Sequence, residues 1–269
     1  MKRATFADNV VIVTGASAGI GRELAVQLAT QGARLALAAR DGARLAEVAA
    51  ECRQLGGQAL AVPTDVADSV QCGALVAATV AAYGRVDTLI NNAGISMWAR
   101  FVDLHDLELF DRLLRVNYLG SVYCTHFALP HLLASRGRLV AVSSMTGRTG
   151  VPMRSGYAAS KHAMTGFFDT LRIELAGTGV SVTVAYPDFV ATEIRQRAFA
   201  VDGRPLGESP VRESEIMTAE VCARQIVAAA GARKREIVQS ARGRVGLWLK
   251  VVAPGLVDRI ARRAVERGK

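Results

Sequence analysis

Seven short aliphatic or β-branched runs, "NVVIV", "RLALAA", "QALAV", "VDTLI", "RLVAVS", "VSVTVAY" and "EIVQ", recur along the chain. Between them lie longer segments with helical spacing of apolar residues, at 22–30, 43–54, 69–83, 107–133 and 158–175. Alternation of this kind builds βαβ units, which place strands in parallel and cover the sheet with helices on both faces. The expected fold is therefore α/β, one parallel sheet covered by helices on both faces. A chain of 269 residues is long enough to bury a full core and suits a single domain.

Composition narrows the classes further. With 51% hydrophobic and 21% charged residues, the chain belongs with folded proteins rather than disordered or fibrous ones. Cys52, Cys72, Cys124 and Cys222 are far apart and form no Cys/His pattern, so neither a metal site nor a disulfide framework is indicated. A reducing, cytoplasmic setting is the expectation. The apolar run after Met1, Lys2 and Arg3 is too short for a secretion signal, and even "VGLWLKVVAPGLV" is broken by Lys250 and Pro254.

The net charge of +9 is localised. Eleven Lys and Arg against three acids lie from Ala232 to Lys269, which leaves 22 bases and 21 acids in the rest. The body is near neutral, so arguments about charged partners concern the tail. Residues 1–240 are read as the catalytic domain and 241–269 as a basic amphipathic extension. Within the domain, 188–217 carries Gly, Pro and charge with little periodicity, the pattern of a lid or binding loop.

The first run leads into "TGASAGIG", where Gly15, Gly19 and Gly21 precede a helix. Glycines at a strand-to-helix turn let backbone approach a ligand, and the helix N-terminus favours an anion such as a pyrophosphate. Farther on, "SGYAASKHA" sets Tyr157 four residues before Lys161, on one face of a helix, so the phenol and the ammonium can approach each other. His162 is rotated about 100° from that face and is read as structural, like His105, His126 and His131.

Together "TGASAGIG", "NNAG" at 91–94, "VN" at 116–117, "VSS" ending at Ser144 and "YAASK" at 157–161 resemble, in order and spacing, the short-chain dehydrogenase/reductase family. The resemblance covers roughly residues 9–239. It implies a Rossmann-type doubly wound parallel sheet in a single domain, with a nicotinamide dinucleotide across the carboxyl ends of the strands. In the family the tyrosine exchanges a proton with the substrate oxygen. The resemblance makes Tyr157 that residue, and a nearby ammonium and the positive nicotinamide ring would favour its phenolate. It also makes Lys161 the ligand of the nicotinamide ribose, Ser144 the donor to the carbonyl oxygen, and Asn117 the holder of a relay water. Cofactor contacts are expected at Gly15, Ser17, Gly19, Ile20, Gly21, Asp65, Val66, Asn91, Ala93, Gly94, Pro187, Val190 and Thr192, besides Tyr157 and Lys161.

The second run ends at Ala39, where family members that prefer NAD carry an acid. Arg40 follows and can hold a 2′-phosphate, while Asp41 is placed to open the next helix as an N-cap. NADP(H) is the expected cofactor, with NAD(H) as the alternative; the family's other NADP marker is absent at Ala18. Cells keep NADPH reduced, so reduction of a carbonyl is the expected direction. Asp188 stands where the family has glycine and is read as shaping access to the site or fixing the lid, with backbone capping as the competing role. Met97, Trp98, Met145, Met153 and Phe189 suggest an apolar ketone or secondary alcohol, the alternative being that half of them are core.

The tail, "RGRVGLWLKVVAPGLVDRIARRAVERGK", reads as an amphipathic helix interrupted at 253–255. Packing on the body or a partner subunit is expected ahead of peripheral contact with the inner face of an anionic membrane. Nucleic acid is not an expected partner. The resemblance also implies a homo-dimer or homo-tetramer built through the helices after the fourth and fifth strands. An NAD-linked alcohol dehydrogenase working oxidatively and a non-catalytic NADP(H) sensor are the rival readings.

Overall fold

The computed structural model describes residues 5–209 and 216–267. Six strands come first: β1 Val10–Thr14, β2 Arg34–Ala39, β3 Gln58–Pro63, β4 Thr88–Asn91, β5 Arg138–Val142 and β6 Ser181–Tyr186. A two-residue pair, β7 Val190–Ala191 and β8 Met217–Thr218, stands apart from them. The last strand, β9 Glu236–Val238, joins the main sheet in the order β3-β2-β1-β4-β5-β6-β9. All its pairings are parallel. Each of the seven expected runs is a strand of this sheet.

Successive residues of β1 show why the runs are continuously apolar. Val11 and Val13 face one core, with Leu24 of α1 (Gly19–Ala29), Leu45 of α2 (Gly42–Gln54) and Ile226 of α7 (Ala219–Gly231). Ile12 between them faces the opposite core, with Leu75 of α3 (Ser69–Tyr83), Leu132 of α5 (Gly120–Ser135) and Phe168 of α6 (Ser155–Glu174). A polar residue on either side would be buried without a partner. Truncating a fully buried ring such as Phe168 to alanine would cost about 3–5 kcal/mol through lost transfer energy and the cavity left behind.

The expected helix at 107–133 is three elements. α4 (Glu108–Leu114) runs into a π turn, Arg115–Leu119, before α5 begins. In that turn the Gly120 N–H donates to the Arg115 carbonyl, one residue farther back than in an α-helix. The bulge rotates the helix locally and turns Asn117 inward.

Strand order reverses between β1 and β4, and the loops after these strands diverge to leave a crevice at their carboxyl ends. The lid covers it. Phe199 N donates to the Ser96 carbonyl and Trp98 N to the Phe199 carbonyl, both at 2.9 Å, which ties the lid to the loop after β4. Residues 210–215 of the expected lid lie outside the described residues.

The tail forms α8 (Ala241–Val252) and α9 (Pro254–Arg267), with Pro254 opening the second helix at the position where a missing N–H costs nothing. It packs back on the body: Leu247 lies against the core under β5 and β6, and Val265 is buried against Trp98 and Ala198. Trp248, Val251 and Ile260 remain exposed. Among the described residues no helix is long and apolar enough to cross a membrane.

Candidate active site

A cavity of about 570 Å³ runs from the turn after β1, past the ends of β2 and β4, to Ser144 and Tyr157 beneath the lid. At its first end, Gly15 has φ +66°, and a Cβ there would stand 2.8 Å from the Ala93 Cα. Only glycine lets this turn close against the loop after β4. The α1 helix begins without a side-chain cap and without an acid in its first turn. Its leading N–H groups are therefore left for an anionic ligand, the donor set that a pyrophosphate requires. Ser17, Gly19 and Ile20 line the cavity as expected.

Gly21 corrects the expectation, because it does not line the cavity. A Cβ at Gly21 would fall 2.1 Å from the Gly15 carbonyl oxygen and 2.6 Å from Asn92 Nδ2. It is a packing glycine that lets α1 sit against the turn. Asn91 is a second correction. It is buried at the end of β4, donates through Nδ2 to Thr125 Oγ1 at 3.0 Å, and points away from the cavity. Its neighbour Asn92 lines the cavity instead and donates to the Thr14 carbonyl at 2.9 Å, which holds the first turn to the fourth strand. Strand parity places only one of two consecutive residues on a given side, and the sequence motif contains both.

Around the adenosine end the cavity is lined by Ala39, Arg40, Asp65 and Val66. Asp41 caps α2 by accepting from the Arg44 N–H at 3.1 Å, the role expected of it. Arg40 is exposed and makes no ion pair among the described residues. No acid stands at the end of β2 to repel a phosphate there. The guanidinium of Arg44 forms a two-point pair with Glu193 of the lid, at 2.9 and 3.0 Å, and Glu193 also meets Arg197. Ala93, Gly94, Pro187, Val190 and Thr192 all line the cavity, as expected.

The reactive end is assembled by β5, α6 and the π turn. Ser144 follows β5 in an extended conformation, and its Oγ accepts from the Thr146 N–H at 3.2 Å. That bond uses a lone pair and leaves the hydroxyl proton to donate to a carbonyl oxygen. Tyr157 and Lys161, one turn apart on α6, are 6% and 3% exposed. The Lys161 ammonium donates to the Val142 carbonyl at 2.8 Å and lies 5.9 Å from the Tyr157 ring centre. Burial pushes the Lys161 pKa down, Tyr157 opposes that shift, and Arg154 adds to it.

Asn117 is fully buried and does not line the cavity. Its Oδ1 accepts from Ile95 N at 2.8 Å, and its Nδ2 donates to the Ile95 carbonyl at 3.0 Å and to Ser160 Oγ at 2.9 Å. Both amide N–H groups are thus committed to shaping the loop after β4. A Cβ on Gly94 would lie 3.2 Å from Asn117 Oδ1 and 3.6 Å from Lys161 Nζ, so a side chain at Gly94 would crowd both groups.

Residues 9–202, well over half of the chain, match the family model described as short chain dehydrogenase. The chain belongs to the short-chain dehydrogenase family. As such it is an oxidoreductase that acts between CH–OH and C=O with a nicotinamide cofactor. Among its curated relatives, "11-beta-hydroxysteroid dehydrogenase A" of Sesamum indicum is 37% identical over 262 residues, covering 95% of this chain and 75% of that protein. "Dehydrogenase/reductase SDR family protein 7-like" of Dictyostelium discoideum is 31% identical, covering 95% and 81%. A solved short-chain dehydrogenase/reductase from Burkholderia phymatum, in complex with NAD, superposes with a TM-score of 0.83 at 27% identity, covering 94% of this chain and 96% of that one.

For this dehydrogenase the substrate lining differs from the sequence expectation. Of the five apolar residues named, only Phe189 lines the cavity. Met97, Trp98 and Met145 are buried in packing, Trp98 beneath Val265 of the tail. Ile95, Ile194 and Phe199 take their place, together with Ser96, Arg154 and Arg195, none of which was expected. Arg154 stands just before the first residue of α6, and its guanidinium lies 4.3 Å from the centre of the Tyr157 ring. No histidine lines the cavity, and His162 Nδ1 pairs with the Ala158 carbonyl on its own helix.

Asp188 carries ordinary backbone angles, so the loss of glycine there causes no strain. Its Oδ1 accepts from Phe189 N at 3.0 Å, and its Oδ2 accepts from Ser240 Oγ at 2.9 Å and Arg242 Nη2 at 3.1 Å. The carboxylate combines the two roles considered for it, capping backbone and fixing the root of the lid to the start of the tail.

Proposed function

We propose that this enzyme is an NADP(H)-dependent carbonyl reductase or alcohol dehydrogenase acting on a ketone or secondary alcohol with an apolar body. The reaction follows from the donors grouped at one end of the cavity. Ser144 Oγ–H donates to the carbonyl oxygen and steadies the charge that develops there. Tyr157 Oη gives its proton to that oxygen in reduction and takes it back in oxidation. Lys161 places its ammonium 5.9 Å from the Tyr157 ring centre, on the side of the helix that faces the reacting group. A bound nicotinamide supplies or accepts the hydride at the carbon. Phe189 and Phe199 line the same cavity.

The observation that carries the NADP(H) preference is Arg40 at the cavity wall, free of ion pairs among the described residues, after a strand that ends in Ala39. A guanidinium binds a phosphate bidentately. The relative from Sesamum indicum is named for a hydroxysteroid, a secondary alcohol on a large apolar skeleton, which supports the substrate class. Fluorescence titration of NADPH and NADH tests the preference: the wild type should bind NADPH at least tenfold more tightly, and Arg40→Ala should remove most of the difference. Equal affinities in the wild type would favour the NAD-linked reading, for which the NAD complex of the Burkholderia phymatum neighbour is the supporting observation.

A further inference from the structure

Arg154 is 7% exposed, with its side chain at the cavity wall. Its guanidinium lies 4.3 Å from the centre of the Tyr157 ring and 5.9 Å from that of Trp98. Its guanidinium donates through Nη2 to Ser96 Oγ, at 2.8 Å, and also interacts with the Tyr157 hydroxyl, so among the described residues both of its partners are neutral hydroxyls. Its Nε is buried without an acceptor. A buried guanidinium normally has a carboxylate, because an uncompensated charge in the interior costs several kcal/mol.

Among the described residues the cavity is lined by four acids, and each is committed elsewhere. Asp41 caps α2, and Asp65 turns back on Ala67 N at 3.0 Å. Asp188 holds Ser240 and Arg242, and Glu193 holds Arg44 and Arg197. Arg195, bonded to Ser209 Oγ at 3.2 Å, lies near enough to oppose the Arg154 charge rather than cancel it. The residue before Arg154, Met153, takes φ +65°, the left-handed region that side chains other than glycine rarely adopt. The chain accepts that strain where it turns the arginine into the cavity.

Resting on the carbonyl-reductase reading above, we propose that Arg154 anchors a carboxylate on the substrate, so that the enzyme acts on anionic ketones, or the matching hydroxy acids, with an apolar body. The carboxylate completes the missing ion pair with hydrogen bonds from the guanidinium. Because the arginine stacks on the ring of Tyr157, carboxylate and carbonyl are separated by a short carbon spacer. Ile95, Ile194 and Phe199 then receive the remaining apolar part.

Two measurements keep this proposal apart from the reading it rests on. The first needs no turnover: calorimetric titration of the NADP⁺ complex with 4-phenylbutyrate, and with 4-phenylbutan-1-ol as its neutral counterpart. The acid should bind about tenfold or more tightly than the alcohol, Arg154→Gln should remove that ratio, and Arg154→Lys should restore part of it. The second compares kcat/KM for 4-oxo-4-phenylbutyrate and its methyl ester with NADPH, where the wild type should favour the acid through KM. Thermal melts establish that the variants are folded. Equal affinity of the acid and the alcohol for the wild type, or an unchanged ratio in Arg154→Gln, overturns the anchor. Carboxylate binding through Arg154 with no turnover of either ketone leaves the anchor standing and counts against the reductase reading.

Discussion

Asp188 Oδ2 accepts a hydrogen bond from Ser240 Oγ at 2.9 Å, and that same serine caps α8 by accepting from Gly243 N at 2.9 Å. One carboxylate therefore links the end of β6, the root of the lid and the start of the tail. Replacing it with alanine removes this bond from a half-buried position. Asp188→Ala should lose about 1 kcal/mol in urea unfolding, with little of that from the exposed Arg242, and kcat/KM should fall as the lid root loosens. Unchanged kinetic constants in a destabilised variant would confine Asp188 to a structural role.

Lys161 supports a prediction about pH. Its pKa in the folded protein lies below 10.5 because burial disfavours the charge. Between the folded value and 10.5 the unfolded chain binds more protons than the folded one, so stability rises with pH across that window. Lys161→Met abolishes the charge and with it this dependence. The variant should be inactive, yet its stability relative to the wild type should be highest near neutral pH and should decline as pH approaches 10.5. Urea unfolding at pH 7 and pH 10 reads both values, and a constant difference would contradict the assignment.

The surface of α4, α5 and α6 leads to a third prediction. Leu114, Phe127, Leu133 and Ile173 are exposed there, more apolar surface than isolated helices usually leave in water. We propose that a second copy of the chain covers these helices. Light scattering should give two or four times the chain mass, and Phe127→Glu should lower it. A monomer at micromolar concentration would contradict this prediction.

The strands were legible because a parallel sheet buried on both faces writes itself as uninterrupted aliphatic runs, and all seven lie where those runs occur. Tyr157, Lys161 and Ser144 were singled out by the resemblance of their motifs to the family, and Asp41 by its place just before a helix. The break at Asn117 was not, since a one-residue π insertion leaves the apolar periodicity on both sides intact. Asn91 and Asn92 show a different limit: the motif contains both, and only the twist at the end of β4 decides which one faces the cavity. Trp98 and Met97 were read as candidate substrate contacts, whereas the tail and the lid bury them through contacts distant in sequence. Arg154 was visible three residues before Tyr157, but its lack of an acid partner among the described residues is a property of the folded cavity.

The central claim is that this dehydrogenase reduces a ketone with NADPH through the Tyr157 proton. It is tested most directly by following NADPH oxidation at 340 nm with purified wild type and Tyr157→Phe across ketones of increasing apolar size, with and without a carboxylate. The account predicts turnover by the wild type and a loss of at least about a hundredfold in the variant, while the variant still binds NADPH. Comparable rates for the two proteins would contradict it.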